Sequence, residues 1–158
     1  VRLGAGNILS EKERIPVREL VLRAAECLRA RAEQEGKQIQ VEGDPEECLW
    51  CDPVWTAEAA GNLLKNALDH TEEGGVIRIF WEHSPVMMRL SVADNGCGIL
   101  PEELHHIFKR FYRSSRSSDR QGVGLGLPLA RAIMEGQGGT LTVRSVPGEG
   151  TVFSMNFM

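Results

Sequence analysis

The sequence predicts an α+β domain, a two-layer sandwich in which a mixed, mostly antiparallel sheet carries helices on one face. Three observations support this. Strand-like and helix-like segments segregate along the chain and do not alternate strictly. The strand-like runs come in closely spaced pairs joined by Gly- and Pro-containing turns, as hairpins do. And 158 residues are enough for one real core without disulfides.

The elements follow in order. Residues 1–13 read as a linker, with an extended piece at Arg14-Ile15-Pro16 opening a domain over 14–158. Val17, Leu20, Val21, Ala24, Ala25 and Leu28 recur at helical spacing, which predicts one helix running to Gly36. Ile39 and Val41, then Cys48 to Cys51, read as two strands paired across Gly43-Asp44-Pro45. Asp52-Pro53 caps and starts a helix carrying Trp55, Ala59, Leu63 and Ala67, broken at Gly74-Gly75. Val76 to Trp81 and Met87 to Ala93 form a hairpin across Ser84-Pro85. A short helix begins at Pro101, and a longer one runs from Leu125 to Gln137. Thr140 to Val146 and Thr151 to Phe157 are strands joined by Pro147-Gly148-Glu149-Gly150.

Composition narrows the function. Apolar residues are 42% and charged residues 25% of the chain, ordinary values for a soluble domain. The net charge of −4 argues against a nucleic-acid partner, because no basic surplus exists to neutralise phosphates. No apolar run approaches the ~20 residues that cross a bilayer, and no signal peptide is visible, so no direct membrane insertion is expected. The chain begins Val1-Arg2-Leu3-Gly4 without Met, as a piece excised from something longer would. Four cysteines without a secretory signal suit reduced thiols in a cytoplasmic compartment. Cys48 and Cys51 have the spacing of a metal or redox pair. Residues three apart on a strand face opposite sides, however, and no second pair exists, so they read as structural.

The chemistry concentrates in four places. Asn62, Asn66 and His70 lie one turn apart on a single helical face. Amide oxygens there suit Mg²⁺, which completes its shell with water and substrate phosphates. Asp94-Asn95-Gly96-Cys97-Gly98-Ile99 ends a strand; its carboxylate can accept from an exocyclic amine, and its glycines let the backbone curve close to a ring. Gly122-Val123-Gly124-Leu125-Gly126-Leu127 opens an apolar helix whose free amides and dipole favour an anion. The spacing is neither the dinucleotide fingerprint nor a P-loop. Between the two clusters, Phe108 to Gln121 is rich in Ser and Arg and has the position of a lid, from which Arg113 could close on a γ-phosphate.

In that order, the Asn helix, Asp-x-Gly-x-Gly, Phe-x-x-Phe-Tyr-Arg and Gly-x-Gly-Leu-Gly-Leu resemble the N, G1, F and G2 boxes of bacterial sensor histidine kinases. Gly148-Glu149-Gly150-Thr151 resembles their last glycine element. The resemblance spans residue 14 to the C-terminus and implies the Bergerat ATP-binding sandwich shared with gyrase B, Hsp90 and MutL. It implies ATP and Mg²⁺ as ligands, with Asn66 on the metal, Asp94 on the adenine amine and His70 near sugar or base. Gly122, Gly124 and Gly126 would line the triphosphate, and Arg110 and Arg113 would be lid contacts. Gly96, Gly98, Ile99, Tyr112, Leu125, Leu127 and Thr151 complete the implied nucleotide contacts. Asp69 departs from the pattern: it stands where these kinases often carry a phosphate-binding Lys.

Asn62 and Arg113 are the implied catalytic residues. ATPases of this fold place a Glu where Asn62 stands, to activate water. An amide cannot act as a general base, so transfer to a protein is favoured over hydrolysis. None of His70, His83, His105 and His106 has the context of a phosphoacceptor, so the acceptor must lie on an upstream dimerisation domain, to which residues 1–13 would be the linker. The expectation is a monomeric ATP-binding domain, unable to autophosphorylate alone. It would be the cytoplasmic portion of a membrane-bound kinase and signal onward to a response regulator. The competing readings are an anti-sigma-type serine kinase, an ATPase fragment of the same fold, and a nucleotide-sensing module without transfer activity.

Overall fold

The computed structural model of the chain describes residues 11–109 and 126–158. In chain order the elements are β1 (Glu13–Pro16), α1 (Val17–Glu26), α2 (Arg29–Gln34), β2 (Gln38–Glu42), β3 (Cys48–Cys51) and α3 (Pro53–Asp69). Then come β4 (Val76–His83), β5 (Met88–Asp94), a 3₁₀ turn at Pro101–His106, α4 (Gly126–Gly136), β6 (Thr140–Val146) and β7 (Gly150–Phe157). Five strands form one sheet in the order β2-β4-β5-β7-β6, and β1 and β3 form a separate two-stranded ribbon. Only the β2–β4 pair of the large sheet is parallel.

One face of the sheet is apolar by strict alternation. Ile77, Ile79 and Trp81 of β4, Leu90 and Val92 of β5, and Phe153 and Met155 of β7 are all buried. The register sets Val92 between Ile79 and Phe153, and Leu90 between Trp81 and Met155. On this face α3 lies between α1 and α4, contributing Leu63, Leu64 and Leu68 with no exposed surface. The opposite face is polar, with Ser91 against Ser154 and Arg89 against Asn156. This is the α+β sandwich with helices on one face that the segregated pattern predicts.

Two expectations are corrected. The helix expected as far as Gly36 is two pieces, broken at Cys27-Leu28. The buried stripe Val17, Leu20, Val21, Ala24, Ala25 loses its period there, and the second piece buries only Ala32. The second correction concerns β2 and β3, which do not pair. β2 lies parallel to β4, reached by the crossover through α3, and β3 pairs antiparallel with β1. The intervening loop is fastened elsewhere and does not close into a hairpin. The Trp81 indole N–H donates to the Asp44 carbonyl at 2.9 Å, and its ring occupies the space beside Gly43 that a Cβ would need. The four cysteines form no disulfide; Cys51 is buried and Cys48 half-buried.

Both ends of α3 are held by side chains. At the start, Asp52 Oδ1 accepts from the Val54 and Trp55 amides at 3.1 Å each, and Oδ2 accepts from the Glu11 amide at 2.9 Å. Gln137, just past α4, accepts from the Asp52 amide at 2.8 Å and donates to the Thr56 hydroxyl at 3.0 Å. At the far end, Lys37 Nζ donates to the Leu68 carbonyl at 2.7 Å, where a cation meets the negative end of the helix dipole. Asp52→Ala is expected to lower the urea midpoint with an unchanged m-value, a loss of about 1–2 kcal/mol for a removed N-cap.

Candidate functional site

The expected site residues on α3 lie along one side of that helix. Asn62 is buried and its Nδ2 donates to the Gly126 carbonyl at 3.3 Å, so the middle of α3 touches the first residue of α4. Asn66, one turn on, is half-buried, and no hydrogen bond to its side-chain amide is formed by the described residues. His70 caps the C-terminus of α3. Burial holds its pKa below the ordinary histidine value, against the opposing pull of Asp69 and Glu103. Its Nδ1 is covered and has no partner among the described residues. The ring is therefore neutral at pH 7.

Asp94 follows Leu90 and Val92 as the next inward-facing position of β5. It is buried at 8% exposure, opposite Ile77 on one side and Thr151 on the other. Burial pushes its carboxyl up to about 6, although the backbone amides of Gly96 and Thr151 donate to it and favour the carboxylate. The Gly96 bond is 2.9 Å.

The loop after Asp94 is stitched on three sides. The His70 carbonyl accepts from the Cys97 amide at 3.3 Å, and a Cβ on Gly96 would run into that same carbonyl oxygen. Asn95 Oδ1 accepts from the Val76 amide at 2.9 Å. The Cys97 carbonyl accepts from the Gly148 amide at 2.7 Å. Gly98 has φ +76°, and a Cβ there would meet the Val146 carbonyl oxygen at 2.5 Å, so no other residue fits. Ile99 is buried.

At the other wall, Gly126 is the first residue of α4, and Leu127 follows it half-buried. The structure thus gathers Asn62, Asn66, His70, Asp94, Gly96, Gly98, Gly126 and Thr151 around the end of α3, the end of β5 and the start of α4. Arg110, Tyr112, Arg113, Gly122, Gly124 and Leu125 lie outside the described residues.

Some participants escaped sequence reasoning. Ser145 accepts from the Ile99 amide at 2.7 Å, donates to the Gly150 carbonyl at 3.1 Å and lies 2.9 Å from the Thr151 hydroxyl. It pins the Asp94 loop to the β6–β7 hairpin, and a lone serine inside a Thr-Val-Arg-Ser-Val strand carries no signal of that. Gly150, which the sequence placed only within the last glycine element, has φ +136° and packs against the Asp94 carbonyl oxygen. Asp69 is paired with Arg31 Nη2 at 2.6 Å, a contact 38 residues distant in sequence that no local pattern announces.

The buried carboxyl makes stability depend on pH in a definite direction. Its folded value of about 6 exceeds the unfolded value of 3.8, so the folded state holds the proton more tightly between them. Stability therefore falls as pH rises from about 4 to about 6, then levels off. Asp94→Asn keeps an acceptor for the Gly96 amide and removes the desolvated charge. It is expected to raise stability at pH 7 by up to ~3 kcal/mol, at about 1.4 kcal/mol per pKa unit, seen as a higher melting temperature, and to flatten the pH 4–6 slope. Thermal unfolding across pH 4–8 checks both.

Comparison with known proteins agrees with this geometry. Residues 51–158 match the family described as histidine kinase-, DNA gyrase B-, and HSP90-like ATPases. The sensor histidine kinase Hik2 of Thermosynechococcus vestitus is 36% identical over 141 residues, 87% of this chain and 37% of that relative. The chain spans about a fifth to just over a third of the length of the curated relatives it matches. The mycobacterial sensor histidine kinase MprB superposes with a TM-score of 0.82 at 27% identity, covering 92% of this chain and 97% of that one. Full-length ShkA, solved in complex with AMPPNP, superposes with a TM-score of 0.84 at 25% identity over 95% of this chain and 31% of that one. No helix among the described residues is long and apolar enough to cross a membrane. The chain belongs to the histidine kinase-, DNA gyrase B- and HSP90-like ATPase family, among the ATP-binding catalytic domains of sensor histidine kinases.

Proposed function

We propose that this domain binds ATP with Mg²⁺ and transfers the γ-phosphoryl group to a histidine on a dimerisation domain of the same kinase, for onward transfer to a response regulator. The observation that carries transfer over hydrolysis is Asn62. It is buried beside Gly126 at the phosphate end of the site, where a carboxylate would be needed to take a proton from water. An amide has no such capacity.

The other assignments rest on the chemistry of each group. Asp94 is ionised at pH 7 and placed to accept from the adenine amine, which a buried acceptor reads with high selectivity. The half-buried Asn66 amide is uncommitted among the described side chains and is a neutral oxygen donor of the kind a hard cation takes. Asn66 would hold Mg²⁺, which when bound supplies charge neutralisation at the phosphates. The amides that open α4 from Gly126 face developing negative charge with the positive end of a helix. His70, neutral and cornered between α3 and the Asp94 loop, would contact sugar or base. Ile99, Leu127 and Thr151 would close the nucleotide's surroundings. Gly122, Gly124 and Leu125 would line the phosphates, and Arg110, Tyr112 and Arg113 would act from the lid. Among these, Arg113 is assigned to the charge that develops during transfer.

Four measurements test this. Labelled ATP incubated with this domain and a histidine-bearing dimerisation domain is expected to yield acid-labile phosphohistidine; acid-stable phosphoserine, or rapid phosphate release without transfer, overturns the assignment. Asp94→Asn is expected to weaken ATP at least tenfold while the fold persists, and wild-type affinity to drop as pH falls through about 6. Asn66→Ala is expected to abolish the gain in affinity that Mg²⁺ confers, read by titrating an ATP analogue with and without the metal. Cys51→Ser is expected to leave nucleotide affinity unchanged.

A further inference from the structure

This inference rests on the nucleotide reading above. Asp69 sits seven residues beyond Asn62, almost eclipsed with it and about 10 Å further along α3. Asn62 faces the start of α4, so a bare carboxylate at position 69 would stand on the phosphate-facing side and repel a triphosphate. The carboxylate is not bare. Arg31 Nη2 holds Asp69 Oδ1 at 2.6 Å, and Arg31 Nε holds Glu35 Oε2 at 2.9 Å. Lys37 Nζ meets Glu35 Oε1 at 2.7 Å and also the Leu68 carbonyl at 2.7 Å. The four side chains form a chain in which two cations cancel two carboxylates, each less than a fifth exposed (16%, 18%, 17% and 5% for Arg31, Asp69, Glu35 and Lys37). Charges so enclosed are poorly screened by salt.

The cluster is not an optimum of stability alone. Arg31 Nη1 is buried with no partner among the described residues, so part of the guanidinium's desolvation is unrecovered. We infer that Arg31 is a positioning residue for the triphosphate: by holding Asp69 in a neutral pair, it removes a negative charge from the phosphate side of α3. Loss of Arg31 leaves the cluster with one excess negative charge, three residues from Asn66. The harm is then proportional to the phosphates on the ligand and absent for the base and sugar.

The test compares adenosine, AMP, ADP and ATP binding to this chain by calorimetry or NMR titration. Arg31→Met is expected to weaken ATP about tenfold or more, ADP less, and adenosine under twofold. Adding Asp69→Asn to Arg31→Met removes the uncompensated carboxylate and is expected to recover most of the ATP affinity. Arg31→Lys, which keeps the charge, is expected to stay within about threefold of wild type. An equal loss across the four ligands, or a double variant no better than Arg31→Met, overturns the inference in favour of a purely structural pair. If Arg31→Met alone does not fold, the double variant and Arg31→Lys decide: the inference requires both to keep the wild-type ratio of ATP to adenosine affinity. A wild-type chain that binds adenosine but gains nothing from phosphates overturns this inference alone. One that binds no nucleotide overturns the ATP reading and this inference with it.

Discussion

A carboxylate buried at the end of the central strand is the constraint from which the rest of this site follows. Asp94 occupies an inward position of β5, in line with Leu90 and Val92, where an apolar residue would simply extend the core. Keeping it ionised at neutral pH requires donors, and the backbone amides of Gly96 and Thr151 supply them. Each donor imposes a further condition. The Gly96 amide reaches back only if the loop presses against the His70 carbonyl, which leaves no room for a Cβ. Thr151 lies opposite Asp94 only if Gly150 turns the hairpin with positive φ against the Asp94 carbonyl. Ser145 then ties Ile99, Gly150 and Thr151 together. One polar group in an apolar row thus dictates the glycines and hydroxyls of two loops distant in sequence.

Helix α3 transmits this arrangement. Asp52 and Gln137 fix its start to the end of α4, and Lys37 fixes its last carbonyls to the edge of the sheet. Between these anchors, Asn62 touches the first residue of α4, and the His70 carbonyl meets the Asp94 loop. α4 is therefore tied to α3 at both of its own ends, by Gln137 and by Gly126. A ligand lying across α3, as proposed above, would bridge elements that are already tied together.

Much of this was legible in the residues. Periodicity located α3, α4 and the β4–β5 and β6–β7 hairpins, because each is a local pattern punctuated by Gly, Pro or an N-cap Asp. The order of the polar motifs pointed to the family, and the family match bears that out. What periodicity could not reveal were pairings decided by distant partners. Ile39-x-Val41 looks the same whether its neighbour is β3 or β4, and Trp81, nearly forty residues on, settles the matter by seizing the Asp44 carbonyl. Arg31, just past the break at Cys27-Leu28, meets Asp69 across 38 residues of sequence, a pairing that no local pattern announces. Ser145 was invisible for the opposite reason: its neighbours make an ordinary strand, and its hydrogen bonds exist only once three segments meet.

The distribution of unmet polar demand separates the two ends of the molecule. At the start of α3, the Asp52 oxygens, the Gln137 amide and the Thr56 hydroxyl all have partners. At its end, His70 Nδ1 and Arg31 Nη1 are covered without partners among the described residues, and Asp94 carries a charge that its surroundings resist. Such groups cost free energy in the folded domain. A nucleotide amine that donates to the Asp94 carboxylate, as proposed above, would recover part of that cost on binding. Stability would then rise with ligand concentration as RT ln(1 + [L]/Kd), coupling the sheet, α3 and α4 to the proposed site.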